Sequence, residues 1–457
     1  MNRLFPLFLF AAFLVSCASS PRAYRQVDAG VARGDFAGAL AALDAAQEDS
    51  PPLYPPGSAV LFYLDRGVLS HYAERYAESA ADLEAAEDLI RELYTKSVSQ
   101  GAASYILNDN TRDYGGEDYE DMYINVFAAL DYYHRGDASG ALVEIRKLTE
   151  KLYYLETKYA DDVERMSSYA ESRVSGVSLP PTPPVVHFYN SALARWLSGI
   201  FYRGTGASDN ARVDFLRLAE AWAAAPEVYR ADLPASLVMA GPPGRETNEE
   251  LALPPGTARL NIVAFSGLSP VKVERDVRVF FPFRYVPDAV ITVPVLEVRP
   301  SLITGVEVTA VNTARADGEE SYTARLYLLE DMGAVMEAAF SRKYAVTLIK
   351  TFIRTMIKYI AADAAGRIAT DRSGSALTGF LSARLAKAAA DISESADIRS
   401  ARYLPALAWA GGLTLPPGEY SVTVRFYAGR EQAGLVTCAS VPVRERETNL
   451  VEAVLLR

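Results

Sequence analysis

From about residue 20 to residue 230, apolar side chains recur every third and fourth position, the spacing of one helix face, in segments rich in Ala, Leu, Tyr and Glu. After MAGPPGRETNEELALPPG, Met239 to Gly256, the period becomes two. ARLNIVAF, VKVERDVRVFF, AVITVPVLEV, TGVEVTAV and YTARLYLL read as strands divided by Gly, Pro and Asp turns. Residues 331–394 return to the helical period, and LAWAGGLTL, EYSVTVRFY, GLVTCASVPV and NLVEAVLL supply four further strands. LPPGEY before SVTVRFY has the composition of a hairpin turn in an antiparallel sandwich. The pattern predicts an α+β multidomain chain. An α-helical domain spans 17–238, a linker 239–256, and an antiparallel β-sandwich-like domain 257–457, with a helical insertion at about 331–394.

The helical part carries a degraded repeat. In tetratricopeptide-type hairpins, a small residue on the first helix lies twelve positions before a small residue on the second, with core positions four and seven further on. Gly199, Ala211, Phe215 and Leu218 fit, as do Gly67, Ser79, Leu83 and Ala86, then Ala129, Ala141, Ile145 and Leu148, and more loosely Val27, Ala39, Leu43 and Ala46. Small residues let paired helices approach, and large ones fill the seam to the next pair. The second-helix small residues at 39, 79, 141 and 211 are unevenly spaced, so the expectation is a divergent tetratricopeptide-like array with insertions at 95–118 and about 156–184. A generic helical bundle is the alternative.

The first residues change the setting. Arg3, the apolar run LFPLFLFAAFLV and Ser16-Cys17 make a secretory signal too short to span a bilayer. Leu14-Val15-Ser16-Cys17 resembles the lipobox of bacterial lipoproteins, which implies removal of residues 1–16 and acylation of the Cys17 thiol. Several acyl chains anchor a protein almost permanently. Ala18 after the cysteine implies, by resemblance to enterobacterial sorting, the outer membrane with the protein facing the periplasm. The other cysteine, Cys438, lies in a strand pattern and reads as a core residue, so no intramolecular disulfide is expected. The formal charge of −11 becomes −12 when the single charge of Arg3 is lost, which argues against a nucleic-acid partner.

Candidate chemistry concentrates in ILNDNTRDYGGEDYEDMYINVFAALDYYHRGD, Ile106 to Asp137. Against the calcium-loop pattern, Asp109, Thr111, Asp113, Glu117 and Glu120 supply oxygens at positions one, three, five, nine and twelve, but Tyr114 stands where the turn needs glycine. Tyr119, Met122, Tyr123, Val126, Phe127, Leu130 and Tyr133 share one helical face, and the acids from Glu117 to Asp121 suit the start of that helix. Packing therefore accounts for the second half of the stretch. Asn108, Asp109, Asn110, Thr111, Arg112, Asp113 and Tyr114 are left as a candidate partner-binding loop, tied by side-chain to backbone hydrogen bonds.

His71, His134 and His187 lack metal-ligand spacing, and the first two, just before turns, read as satisfied surface histidines. FSGLS lacks the nucleophile-elbow frame, and neither a phosphate loop nor a zinc pattern occurs. No cofactor, metal or catalytic residue is called for. A helix over 341–367 carries Lys343, Lys350, Arg354 and Lys358, with no acid from Ala338 to Ala362. This basic stripe is either a solvated face or a surface for anionic lipid or an acidic polymer.

NDNTRDYGGEDYEDMYINVFAALDYYHRGDASGALVEIRK, FSGLSPVKVE, RKYAVTLIKTFIRTMIKYIA, ADIRSARYLP and LPPGEY, in this order, resemble a family of uncharacterised bacterial envelope lipoproteins with tetratricopeptide-like helices. Where that family commonly has an aromatic after the Arg-Ser pair, this chain has Ala401. The resemblance implies a periplasm-facing lipoprotein, encoded in some genomes beside an activator lipoprotein of peptidoglycan synthases. It carries over no catalytic residue. The expectation is a non-enzymatic scaffold, bound to a membrane by its anchor and to an envelope protein by its repeats. The alternative is an envelope enzyme or polysaccharide-binding protein using the acidic loop 108–120 or the basic helix 341–360.

Overall fold

The computed structural model describes residues 24–100, 112–158, 190–241, 247–280, 288–314, 320–392 and 396–457. Cys17, Asn108 to Thr111 and His187 lie outside them. The first half is helical: α1 (Arg25–Arg33), α2 (Phe36–Glu48), α3 (Ala59–Tyr72), α4 (Tyr76–Gln100), α5 (Asp118–His134), α6 (Ala138–Lys158), α7 (Ala192–Gly204) and α8 (Ser208–Ala224). They pack as consecutive antiparallel pairs, α1–α2, α3–α4, α5–α6 and α7–α8, each pair set against the next. The small residues of the repeat pattern lie at the close approaches. A Cβ on Gly67 would meet the Leu83 side chain at 2.9 Å, and one on Gly199 the Phe215 ring at 2.8 Å. Leu83, Ala86, Ala141, Ile145, Leu148, Ala211, Phe215 and Leu218 are buried at or near zero exposure.

The second half is a sheet region: β1 (Ala258–Leu268), β2 (Val271–Phe280), β3 (Asp288–Glu297), β4 (Gly305–Asn312), β5 (Ser321–Asp331), β6 (Pro405–Leu415), β7 (Gly418–Ala428), β8 (Glu431–Val443) and β9 (Asn449–Leu455). Between β5 and β6 stand α9 (Met332–Ser373) and α10 (Ala376–Ile392), an antiparallel helical hairpin. Asp331 caps α9 by accepting the Ala334 N–H at 3.0 Å, and Gly374 at φ +65° ends it, a conformation that favours glycine.

Two expectations need correction. In place of two sheets there is one of seven strands in the order β8-β7-β4-β5-β6-β1-β9, with β2–β3 a separate hairpin, and β9 runs parallel to β1. LPPGEY also does not close a hairpin, because β6 pairs with β1 and β5 while β7 pairs with β4 and β8. It carries the chain from one half of the sheet to the other. The Tyr420 hydroxyl donates to the Pro416 carbonyl at 2.8 Å and holds that corner, a device of sandwich folds. The ladder slips between Leu328 and Glu330 in β5, a bulge that bends the sheet there. The two halves then enclose one apolar interior that joins Ile262 and Ala264 of β1 to Val306 and Val308 of β4 and Val424 and Phe426 of β7.

The other face of the sheet meets the helices. β1 is buried along almost its whole length, so alternate residues serve different cores. Val263 and Phe265 join Phe127, Tyr72, Tyr403 and Ala408 in a core continuous with the helical pairs. Helices and sheet are thus one packed body. The stretch 239–256, where described, belongs to it: Asn248 and Glu250 are fully buried, and Glu250 pairs with Arg203 of α7 and Arg259 of β1.

Candidate functional site

The acidic run at the start of α5 faces inward. Tyr114 is buried, and its hydroxyl donates to Glu120 Oε2 at 2.7 Å; the Glu117 N–H reaches the same oxygen at 2.8 Å. Glu120 Oε1 accepts the Tyr119 hydroxyl at 3.2 Å and the Ala401 N–H at 2.6 Å. A carboxylate offers about four lone-pair positions. All four are filled by the protein, which leaves Glu120 nothing with which to bind a cation. Glu117 pairs with Lys272. The calcium-loop spacing therefore reflects a joint: its ninth and twelfth positions are spent on the protein itself.

The other side of that joint is the segment 396–404, which follows α10. Asp65 of α3 accepts the N–H groups of Arg402 at 2.8 Å and Tyr403 at 3.2 Å, together with the Tyr54 hydroxyl at 2.7 Å. Arg402 forks onto Asp28 at 2.9 and 2.6 Å. Arg399 donates to the carbonyls of Gly57 and Arg112 and lies over the Tyr114 ring. Burial, with the nearby Glu117 charge, pushes the Glu120 carboxyl up to about 7, and burial pushes Asp65 up to about 6. Of the expected partner-binding loop, Arg112 is half-buried, Asp113 exposed and Tyr114 enclosed in this joint.

A second buried network overturns the surface reading of His71 and takes in the half-buried His134. His71, at the end of α3, is 2 % exposed. Its Nδ1 pairs with Asp131 at 2.7 Å and its Nε2 with Glu452 of β9 at 2.8 Å, while His134 Nε2 holds the other Glu452 oxygen at 2.8 Å. Burial opposes the charge on His71, but the Glu452 charge and the bonds to Asp131 and Glu452 outweigh it and push the imidazole up to about 10. Glu452 is held well below the usual carboxylate range: burial opposes this, and the charge of His71 prevails. Glu330 of β5 makes a third weld, accepting from Tyr123 at 2.6 Å, Tyr229 at 2.8 Å and Ser191 at 2.8 and 2.9 Å.

An open feature among the described residues lies on the outside of the helices. Glu87 and Arg91 of α4 face Lys147, Glu150, Lys151 and Tyr154 of α6 across a groove of about 390 Å³. Its floor is ordered by ion pairs. Lys151 bridges Glu87 at 2.6 Å and Asp121 at 2.7 Å, and Lys147 bridges Glu87 at 2.9 Å and Glu144 at 3.0 Å. Burial works to raise Glu87, yet the charge and hydrogen bond of Lys151 take its carboxyl down to about 2. At the rim Tyr94 and Tyr154, both partly exposed, join hydroxyls. Mixed charge at fixed positions with a tyrosine rim suits recognition of a polypeptide. The sequence reading missed these residues, although Lys147, Lys151 and Tyr154 fall at i, i+4 and i+7 of one helix.

Lys358 of the basic stripe is half-buried on α9, and the side chains of Lys343, Lys350 and Arg354 lie outside the described residues. Cys438 is half-buried in β8, where burial raises its thiol and disfavours the thiolate a nucleophile needs. Among the described residues, no three His, Cys, Asp or Glu side chains are placed to hold a metal ion. None of the described helices is long and apolar enough to cross a membrane. Compared with protein-family models, curated proteins and solved structures, the chain matches none.

Proposed function

We propose that this chain is a non-enzymatic lipoprotein of the bacterial cell envelope, anchored through Cys17 in the outer membrane and facing the periplasm. There its tetratricopeptide-like helical pairs bind a protein partner. The observation that carries the reading is a contrast. The buried carboxylates Glu120, Glu330 and Glu87 spend their oxygens on internal bonds, while the edge of the α4–α6 groove presents Arg91, Glu150 and the exposed tyrosines Tyr94 and Tyr154 to the outside. Divergent repeats with small residues at the helix approaches support a binding scaffold, and the resemblance to envelope lipoproteins directs the partner search toward peptidoglycan assembly.

Photo-cross-linking in intact cells tests it, with the reactive group at position 94 or 154 and a control at the exposed position 446 on the far turn before β9. One envelope protein recovered by mass spectrometry from the groove positions and not from the control is the expected result. Recovery of the same proteins from all three positions overturns the groove. Hydrolytic turnover by the purified chain, lost on Asp113→Ala, overturns the non-enzymatic reading. Release from membranes on Cys17→Ser is expected; a variant that stays bound through high-salt and carbonate washing overturns the anchor.

A further inference from the structure

The α9–α10 hairpin carries a face that the fold leaves uncovered. On α10, Gly379, Ala383 and Lys387 turn inward, Gly379 so close that a Cβ would strike Thr370 of α9. The opposite side of α10 exposes Leu377 (67 %), Phe380, Leu381 and Leu385 (74 %). On α9, Ile357, Ile360 and Ile368 are also exposed, on the side of the helix turned away from Tyr359, Gly366 and Thr370, which meet α10. Seven large apolar side chains in solvent along one hairpin exceed what scattered surface exposure accounts for.

Charge distinguishes the occupants of such a face. α9 and α10 together hold nine basic and four acidic residues, on a chain whose formal charge is −11. Beside the apolar side chains Arg372 and Arg384 are exposed together with Asp371, while the exposed Arg367 pairs with Asp363 at 2.7 Å and the exposed Glu337 stands at the other end of α9. Two copies of this face would set like charges against each other. A polysaccharide would gain little from four bare leucine and phenylalanine side chains. An anionic bilayer answers both features, with headgroups meeting the arginines and acyl chains the leucines. We infer that the α9–α10 hairpin lies on an anionic lipid surface as a second membrane contact, separate from any acyl anchor. The inference rests on the reading above only in that this reading supplies the nearby bilayer. The hairpin lies along the surface and does not insert across it, because neither helix is apolar enough to span.

The test uses the mature chain from residue 17 with Cys17→Ser, so that no acyl group contributes. Co-sedimentation is measured with phosphatidylglycerol/phosphatidylethanolamine vesicles and with phosphatidylcholine vesicles, and self-association by sedimentation velocity. The expected result is salt-sensitive binding to the anionic vesicles. It falls by ~10-fold or more in Leu381→Glu/Leu385→Glu and in Arg372→Glu/Arg384→Glu, with unchanged circular dichroism. Because these four side chains are exposed, both variants keep the fold. Failure of the parent chain to bind, or binding untouched by either variant, overturns the inference. So does a dimer that Leu385→Glu dissolves, which would make a second copy the occupant. Cys17 acylation in cells is read separately, so the anchor and the hairpin contact fail independently.

Discussion

Ala401 and Glu120 stand 281 positions apart, yet the Ala401 N–H donates to Glu120 Oε1 at 2.6 Å, in the place where the segment after the helical insertion meets the start of α5. Removing the acceptor by Glu120→Ala strands that N–H and the hydroxyls of Tyr114 and Tyr119 in a buried site. A cost of about 3 kcal/mol or more follows from ~1–3 kcal/mol per unsatisfied buried group. Urea unfolding measures it, and a loss under about 1 kcal/mol contradicts the joint.

Glu120 also sets a pH dependence. Its carboxyl rises from an ordinary 4.5 to about 7 in the folded chain, so the folded state binds more protons than the unfolded one between those values. Its contribution to stability is complete below pH 4.5 and is lost as the pH rises to about 7. Asp65 acts in the same direction between 3.8 and about 6. Glu120→Gln, which cannot ionise, is expected to show a shallower fall over pH 4.5–7; equal slopes for parent and variant would sink the assignment.

His71 works over a higher window. Raised from 6.5 to about 10, it contributes fully below about pH 6.5 and loses that contribution as the pH climbs to about 10. His71→Gln leaves Glu452 and Asp131 without the cation between them and is expected to cost about 3–5 kcal/mol near pH 6. The gap between parent and variant should narrow toward pH 10. Denaturant midpoints measured across that range decide it.

Glu87 reports on the groove. Its carboxyl is held at about 2 against an ordinary 4.5, so its share of stability is present above pH 4.5 and vanishes as the pH falls to about 2. Lys151→Met removes the cation that opposes burial. The variant is expected to be weaker than the parent at neutral pH and to converge with it in acid. A constant difference from pH 7 to pH 2 would assign the lysine a packing role instead.

The small residues of the repeat pattern make a further test. Gly199→Ala puts a methyl 2.8 Å from the Phe215 ring and is expected to cost ~1–3 kcal/mol by overpacking. Gly115→Ala, with nothing within 4 Å, is the matched control and is expected to be neutral. Calorimetry of both variants shows whether the spacing reflects close helix approach.

All nine strands and the helical insertion were legible, because alternation and the 3.6 period are local properties of a few residues. Strand order was not. LPPGEY has the composition of a hairpin turn, yet Tyr420 uses it as a corner, and no local feature says whether β7 turns back on β6 or crosses to β4. The burial of His71 was within reach: it falls three and seven positions after Val68 and Leu64 on the buried face of α3. Its partner Glu452 was not, since the two lie on elements 381 positions apart. The acids at 117 and 120 illustrate the same limit. Their spacing is shared by a calcium loop and by a helix start, and only the arrival of Ala401 and Lys272 distinguishes them.

The continuous core under β1 bears on how this protein can change over generations. With Val263 and Phe265 committed to the helices and Ile262 and Ala264 to the sheet interior, neither half can be copied, lost or exchanged without baring the other's apolar face. Variation in such a lineage is expected to collect at the loop ends, while helices and sheet are inherited together.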